Sequence, residues 1–222
     1  MRSHNKHIPH FPFFLCIIVF LSQTVCSPSA PIAGEQDKML WNKKYEPEAY
    51  IFGKEPVAFL KEHIKLLPRG KVLDIAMGEG RNAIFLAKNG FEVDGCDISE
   101  RAIEKALSLA KENKVQINAS VADLETFLLP QETYDVIACF YYLQRNLIPQ
   151  IKKALKPGGF VIFETYTVEN LDRGFEGPKN RDYLLKTNEL LNFFRDFKII
   201  LYRENILDNK KAVASLIAQK LH

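Results

Sequence analysis

The chain has 222 residues, of which 47% are hydrophobic and 26% charged. That composition excludes a disordered or collagen-like protein and suits one catalytic-size domain. Thirty Lys and Arg stand against 27 Asp and Glu, and two of the basic residues, Arg2 and Lys6, lie in the first 26 residues, where there is no acid. The remainder is close to neutral and carries no electrostatic footprint for nucleic acid.

Arg2, Lys6 and three histidines precede an uncharged run over 11–21 (FPFFLCIIVFL), after which residues 22–30 turn small and polar. This is the anatomy of a secretory leader over 1–26. Eleven apolar residues cover only about half of the roughly 30 Å hydrocarbon core, too little for a membrane span. Cleavage after Cys26, lipid attachment at Cys26 and a true start at Met39 all remain open. Residues 27–40 read as a linker and 41–222 as the domain.

From residue 55 onward apolar runs alternate with amphipathic ones. The pattern predicts helix 55–66, strand 71–76, helix 81–89, strand 91–96, helix 99–113, strand 116–121, a short helix near 124–128 and strand 134–140. Helix 145–155, strand 159–165, an irregular stretch 166–186, helix 187–195 and strands near 197–202 and 212–219 complete the chain. Ser99 and Thr187 suit helix N-caps, and Gly70, Gly90 and Pro157-Gly158-Gly159 end helices or begin strands. Such alternation makes an α/β protein with a seven-stranded, mostly parallel, doubly wound sheet. The last two strands are joined by a polar turn without a helix, so they must pair as an antiparallel hairpin.

The stretch most informative about chemistry is Lys71 to Ala83 (KVLDIAMGEGRNA), a buried strand ending near Asp74, a glycine turn, and the start of a helix. Gly78 and Gly80 remove the side chains that would keep a ligand from the backbone, and the helix start offers free N–H groups. Gly78-x-Gly80-x-x-Ala83 also matches the dinucleotide fingerprint, so the glycines alone leave a nicotinamide oxidoreductase open. A carboxylate at Asp74 repels a pyrophosphate but supports an ammonium. Asp97, at the end of the next strand, can hold a ribose diol, and Asp123, ending the third, stands where an adenine amino group would then arrive. Together the three acids match S-adenosylmethionine.

On these residues the chain resembles the class I S-adenosylmethionine-dependent methyltransferases, with their Rossmann-like fold, over about Trp41 to Lys220. Leu155-Lys156-Pro157-Gly158-Gly159 and the closing hairpin are shared features. The lead-in Trp41, Tyr45, Tyr50, Phe52, Gly53, Glu55, Pro56, followed by Gly80-Arg81-Asn82, is most similar to the tellurite-resistance and small-molecule branch. The resemblance implies S-adenosylmethionine as cofactor, held by Asp74, Ala76, Gly78, Gly80, Asp97, Ile98, Asp123, Leu124 and Phe140. Ala76 departs from the family, which usually has glycine there. For a small methyl acceptor, a metalloid oxyanion or thiol, the candidates are Arg81, Tyr141, Tyr142, Arg145 and Tyr166. Arg81 faces substrate or pairs with a surface acid, and the tyrosines face the acceptor or fill core. The body offers no convincing histidine base, since His63 lies on a helix rich in Lys and Glu. A non-catalytic cofactor-binding module is the alternative from another class.

In the strand order of that fold, Cys96 and Cys139 are separated by another strand, roughly 10 Å apart and beyond disulfide reach. The connection 166–186, with Arg173, Gly174, Phe175 and Gly177, and the segment 41–52 are expected to form an aromatic lid. The leader points to export and the cytosolic supply of cofactor to the cytoplasm, so localisation stays open. The sequence is silent on oligomeric state and implies no metal.

Overall fold

The computed structural model describes residues 33–221 together with Met1; the leader reading on 1–26 lies outside them. Seven strands, β1 (Lys71–Ile75), β2 (Glu92–Asp97), β3 (Asn118–Val121), β4 (Tyr134–Phe140), β5 (Leu155–Tyr166), β6 (Lys198–Leu207) and β7 (Lys211–Gln219), form one sheet in the order β3-β2-β1-β4-β5-β7-β6. β1 to β5 run parallel, whereas β7 pairs antiparallel with both β5 and β6. The helices are α1 (Ala33–Lys44), α2 (Ala58–His63), α3 (Arg81–Lys88), α4 (Glu100–Glu112), α5 (Ile148–Ala154), α6 (Val168–Asp172) and α7 (Glu189–Phe193).

Alternate strand residues feed two cores, which explains why the central strands read as continuous apolar runs. On one face Val72, Val93, Val136, Ile162 and Ile217 pack beneath α2, α3 and α4 through Phe59, Leu60, Leu86 and Ala106. On the other, Leu73, Ile75, Ile137, Phe163 and Leu216 meet Leu147, Ile151, Leu190 and Phe194. Ile75 is in register with Cys96 on one side and Cys139 on the other, and both thiols are buried and free.

Four expectations are corrected. Residues 124–128 form a turn, not a helix, because the Asp123 side chain accepts from the Glu125 N–H (2.9 Å) and Pro130 follows. The stretch 166–186 contains α6 and a single 3₁₀ turn, Arg181–Tyr183. β5 begins at Leu155 and runs through Pro157-Gly158-Gly159 with a register shift against Tyr134/Val136. α1 begins inside the stretch read as linker. Its sequence, AGEQDKMLWNKK, has little apolar periodicity; Lys38 bonds Glu100 (2.6 Å), and the Asn42 side chain accepts from the Ser99 hydroxyl (2.7 Å).

The closing hairpin forms because Asp208 and Asn209 both adopt left-handed backbone, the turn geometry that matches strand twist. Among the described residues no helix is long and apolar enough to cross a membrane.

Candidate functional site: the carboxyl ends of the strands

At the end of β1 the chain turns sharply through Ala76 (φ +51°), Gly78 (φ +55°) and Gly80 (φ +86°) into α3. A Cβ built on Gly80 would lie 2.8 Å from Ala106 Cβ, and one on Gly78 would lie 2.9 Å from the Tyr45 hydroxyl. Gly80 therefore lets α3 close on α4, while Gly78 bares backbone beneath Tyr45. Asp97 braces this turn. One of its carboxylate oxygens accepts from the Gly78 N–H (2.8 Å) and the other from the Ser99 N–H (2.9 Å). Burial raises its pKa, and these N–H bonds oppose the rise. Two carboxylate lone-pair directions remain for a ligand.

Asp74 is 1% exposed, and its Oδ2 has no hydrogen-bond partner among the described residues. Burial pushes its carboxyl up to about 7, with Arg81 and the Ala83 N–H pulling down and Asp97 pushing up. Native interiors rarely leave such an atom unpaired, and a cation arriving at the turn is the partner this oxygen lacks. The residues thus fit the ammonium of the cofactor that the resemblance implies. Asp123, at the end of β3, is half-buried; a Cβ built on Gly34 would lie 2.2 Å from its Oδ2, so α1 starts against this carboxylate. Leu124 is buried and Ile98 half-buried beside these acids in sequence, while Phe140 is buried in the core under α2 to α4.

Sequence reasoning missed the fastening of this turn. Glu79, between the two glycines, is buried and accepts from the backbone N–H groups of Ile51 (3.3 Å) and Phe52 (3.4 Å). Lys105 of α4 bonds Glu79 and also donates to the carbonyls of Pro47 and Ala49, both at 2.8 Å. Together they pin the segment carrying Tyr45 and Phe52 over the glycines. The only signal available in sequence was a carboxylate set between two glycines.

Arg81 donates to the Phe52 carbonyl (2.8 Å), and its guanidinium lies 5.9 Å from the Tyr141 ring centroid. Tyr141 and Tyr166 sit 5.2 Å apart, centroid to centroid. These three predicted residues come together, on the side of the turn away from β2 and β3. Residues 166–186 also reach this cluster, since a Cβ on Gly177 would lie 3.2 Å from the Tyr166 ring.

Tyr142 and Arg145 do not join it. Tyr142 packs into the opposite core and donates to Gln144 (2.5 Å): β4 ends at Phe140, and the left-handed backbone at Tyr141 (φ +58°) breaks the alternation, keeping Tyr141 on the face of Phe140 and turning Tyr142 to the other. Arg145 makes a fork to both Glu189 oxygens (2.7 and 2.9 Å) and also donates to the carbonyls of Asp182 (2.5 Å) and Leu184 (2.9 Å). Its donors are spent on holding 182–189 to β4's exit, which leaves little for an anionic acceptor.

The model of the family described as "Tellurite resistance protein TehB" matches residues 36–220. The chain belongs to the TehB family. Among curated relatives, "Probable S-adenosyl-L-methionine-dependent methyltransferase TehB" of Haemophilus influenzae Rd is 27% identical over 150 residues, 64% of this chain and 51% of that protein. "Hemagglutinin 1" of Eikenella corrodens is 26% identical over 154 residues, 66% and 50% of the respective chains. "Ubiquinone biosynthesis O-methyltransferase" of Coxiella burnetii is 30% identical over 133 residues, 56% of each. The chain spans about half the length of these relatives. Among solved structures, TehB from Haemophilus influenzae aligns with a TM-score of 0.62 at 22% identity, covering 82% of this chain and 66% of that one. An S-adenosylmethionine-dependent methyltransferase from Mesorhizobium loti gives 0.62 at 20%, covering 76% and 100%. Both share the fold.

Ala76 is this TehB-family chain's visible irregularity. Left-handed backbone costs an L-residue about 1–2 kcal/mol, and glycine avoids that cost but gives up roughly 0.5–1 kcal/mol of chain entropy. Ala76→Gly is therefore expected to change stability by between zero and about +1.5 kcal/mol, with cofactor affinity equal or tighter. Chemical denaturation and titration calorimetry check both; a clear loss of stability contradicts the strain at this turn.

Proposed function

We propose that the protein is an S-adenosylmethionine-dependent methyltransferase acting on a small acceptor, a metalloid oxyanion or a thiol. The observation that carries this reading is the buried, unpartnered Asp74 oxygen beneath the glycine turn, beside Asp97. A pyrophosphate at that turn would meet the carboxylates of Asp74 and Asp97, whereas an amino-acid-bearing nucleoside brings a cation to the Asp74 oxygen. The names of the Haemophilus and Coxiella relatives support the methyltransferase part of this reading, and the Coxiella name, an O-methyltransferase, makes an oxygen acceptor the one to test against it.

When bound, the cofactor supplies an electrophilic methyl group on a sulfonium. Asp74 accepts from its ammonium, Asp97 from its ribose hydroxyls, and Asp123 with Leu124 borders its adenine. Transfer by in-line displacement requires alignment and exclusion of water more than a covalent nucleophile. Tyr45 and Phe52, pinned by Glu79 and Lys105, cover the turn; Tyr141, Tyr166 and Arg81 border the acceptor, with Arg81 attracting an anion. The segments 45–53 and 174–178 act as the two halves of a lid.

Selenite, tellurite, arsenite, small thiols and a small phenol, each supplied with radiolabelled cofactor, test this reading. Volatile or extractable methylated product is expected from at least one inorganic anion or thiol. Label transferred only to protein or nucleic acid contradicts the small acceptor, and label found only on the phenol moves the assignment to oxygen acceptors.

A further inference from the structure

One buried carboxylate has no part in the cofactor site. Glu164 of β5 is 1% exposed, and no Lys or Arg among the described residues lies within ion-pair distance of it. It accepts instead from two neutral hydroxyls, Tyr141 at 3.1 Å on Oε1 and Ser215 of β7 at 2.7 Å on Oε2. Ser215 is in register with Glu164 on one side and with Arg203 of β6 on the other, so the three share the sheet face that carries the glycine turn.

The fold holds Tyr141 to Glu164 twice, once at the side chain and once at the backbone. Its backbone N–H also bonds the Glu164 carbonyl (2.8 Å), with Tyr141 in left-handed backbone at φ +58°, a conformation bulky L-residues rarely adopt. That kink leaves the phenol between Glu164 and the acceptor side. Arg81 of α3 and Lys211 of β7 lie 5.9 and 5.2 Å from its ring centroid, and the Tyr166 ring is tilted 41° to it at 5.2 Å. Arg81 lowers the pKa of both Asp74 and Tyr141, so one guanidinium acts on the ammonium's carboxylate and on the phenol.

We propose, resting on the methyltransferase reading above, that Tyr141 and Glu164 form a proton path serving an acceptor that carries a dissociable proton, a thiol above all. As an acceptor lone pair forms the new bond to the methyl carbon, the sulfonium C–S bond breaks and its electron pair stays on sulfur. The acceptor's proton passes to the Tyr141 oxygen while the Tyr141 phenol proton passes to Glu164 Oε1. The products are a neutral thioether, the methylated acceptor, an unchanged tyrosine and a protonated Glu164, which returns its proton to solvent on release. Burial raises the Glu164 pKa, opposed by the Ser215 and Tyr141 hydroxyls and by Arg203 and Lys211, which favours it as the proton's destination. Tyr141 is the catalytic residue here and Glu164 acts through it.

Glu164→Gln keeps an acceptor atom and the volume but removes the base. With thiols of graded acidity, kcat at pH 7 is expected to fall about 100-fold for the least acidic thiol, progressively less for more acidic ones, and to recover as pH rises, while cofactor affinity by calorimetry stays unchanged. Tyr141→Phe should show the same pattern. Ser215→Ala, which loses the other hydroxyl but keeps the base, should retain the wild-type ranking of thiols with the pH profile moved to higher pH, because the Ser215 hydroxyl holds the Glu164 pKa down. Independently of turnover, the infrared C=O band of a protonated carboxylic acid should lose, in Glu164→Gln, a component titrating above the ordinary carboxylate range. An equal loss for every thiol at every pH, or an infrared titration identical to wild type, overturns the proton path. Absence of product from the wild-type protein with every acceptor overturns the methyltransferase reading, a result distinct from either.

Discussion

Raising the pH from 4 to 8 is expected to destabilise the cofactor-free protein, and Asp74 is the main cause. Its carboxyl is pushed up to about 7 in the folded protein, against about 3.9 in an unfolded chain. Between those values the folded state holds a proton that the unfolded state has released. The stabilisation is therefore fully present below about pH 4, shrinks as pH rises and is gone above about 7. It amounts to at most on the order of 4 kcal/mol. Asp97 and Glu164, also raised by burial, act with the same sign. Glu100, Asp135, Glu189 and Asp196, lowered in the folded state, act oppositely, but in a window below the ordinary carboxylate value. Asp74→Asn should flatten the urea-denaturation free energy between pH 4 and 7. The same proton opposes the cofactor's ammonium, so wild-type affinity should rise up to tenfold per pH unit from 5 toward 7. A profile that the Asn variant shares unchanged removes Asp74 from this role.

Replacing Asp97 should have two effects at once. Its carboxylate braces Gly78 and Ser99 by their N–H groups and, in the proposed complex, takes the ribose hydroxyls. Loss of a charge-assisted, two-pronged bond corresponds to roughly 1.5–3 kcal/mol, about ten- to a hundredfold in the dissociation constant. Asp97→Ala additionally strands two buried donors, each costing about 1–3 kcal/mol of stability. Asp97→Asn retains an oxygen for one of them and should fold more stably while still binding weakly. Calorimetry on both variants, with denaturation as the control for folding, measures the two effects separately. Unchanged affinity in a folded Asn variant would leave Asp97 with the brace alone.

The parallel sheet, the glycine turn and the closing hairpin were legible because each rests on local signals: apolar runs, glycines where the backbone is left-handed, and a polar turn between strands. Asp74 and Asp97 were legible as carboxylates at strand ends. What escaped depends on partners far along the chain. α1 has little apolar periodicity and is fastened by Lys38 to Glu100 and Asn42 to Ser99, pairs more than fifty residues apart. Arg145 resembled a free cation until Glu189 was found across it, 44 residues on. The Tyr141-Tyr142 pair follows β4 directly, and only the left-handed backbone at Tyr141, which no local sequence signal marks, sends the two rings to opposite cores. The surroundings of Glu164 are not legible in sequence, because only sheet register brings Ser215, 51 residues on, beside it.

The most direct test of the account is titration calorimetry of the full chain with S-adenosylmethionine, its demethylated product and NAD at pH 7.5. The three strand-end acids and the unpartnered Asp74 oxygen predict single-site binding of the first two and no heat with NAD. Binding of NAD with no response to either sulfur nucleoside would contradict it.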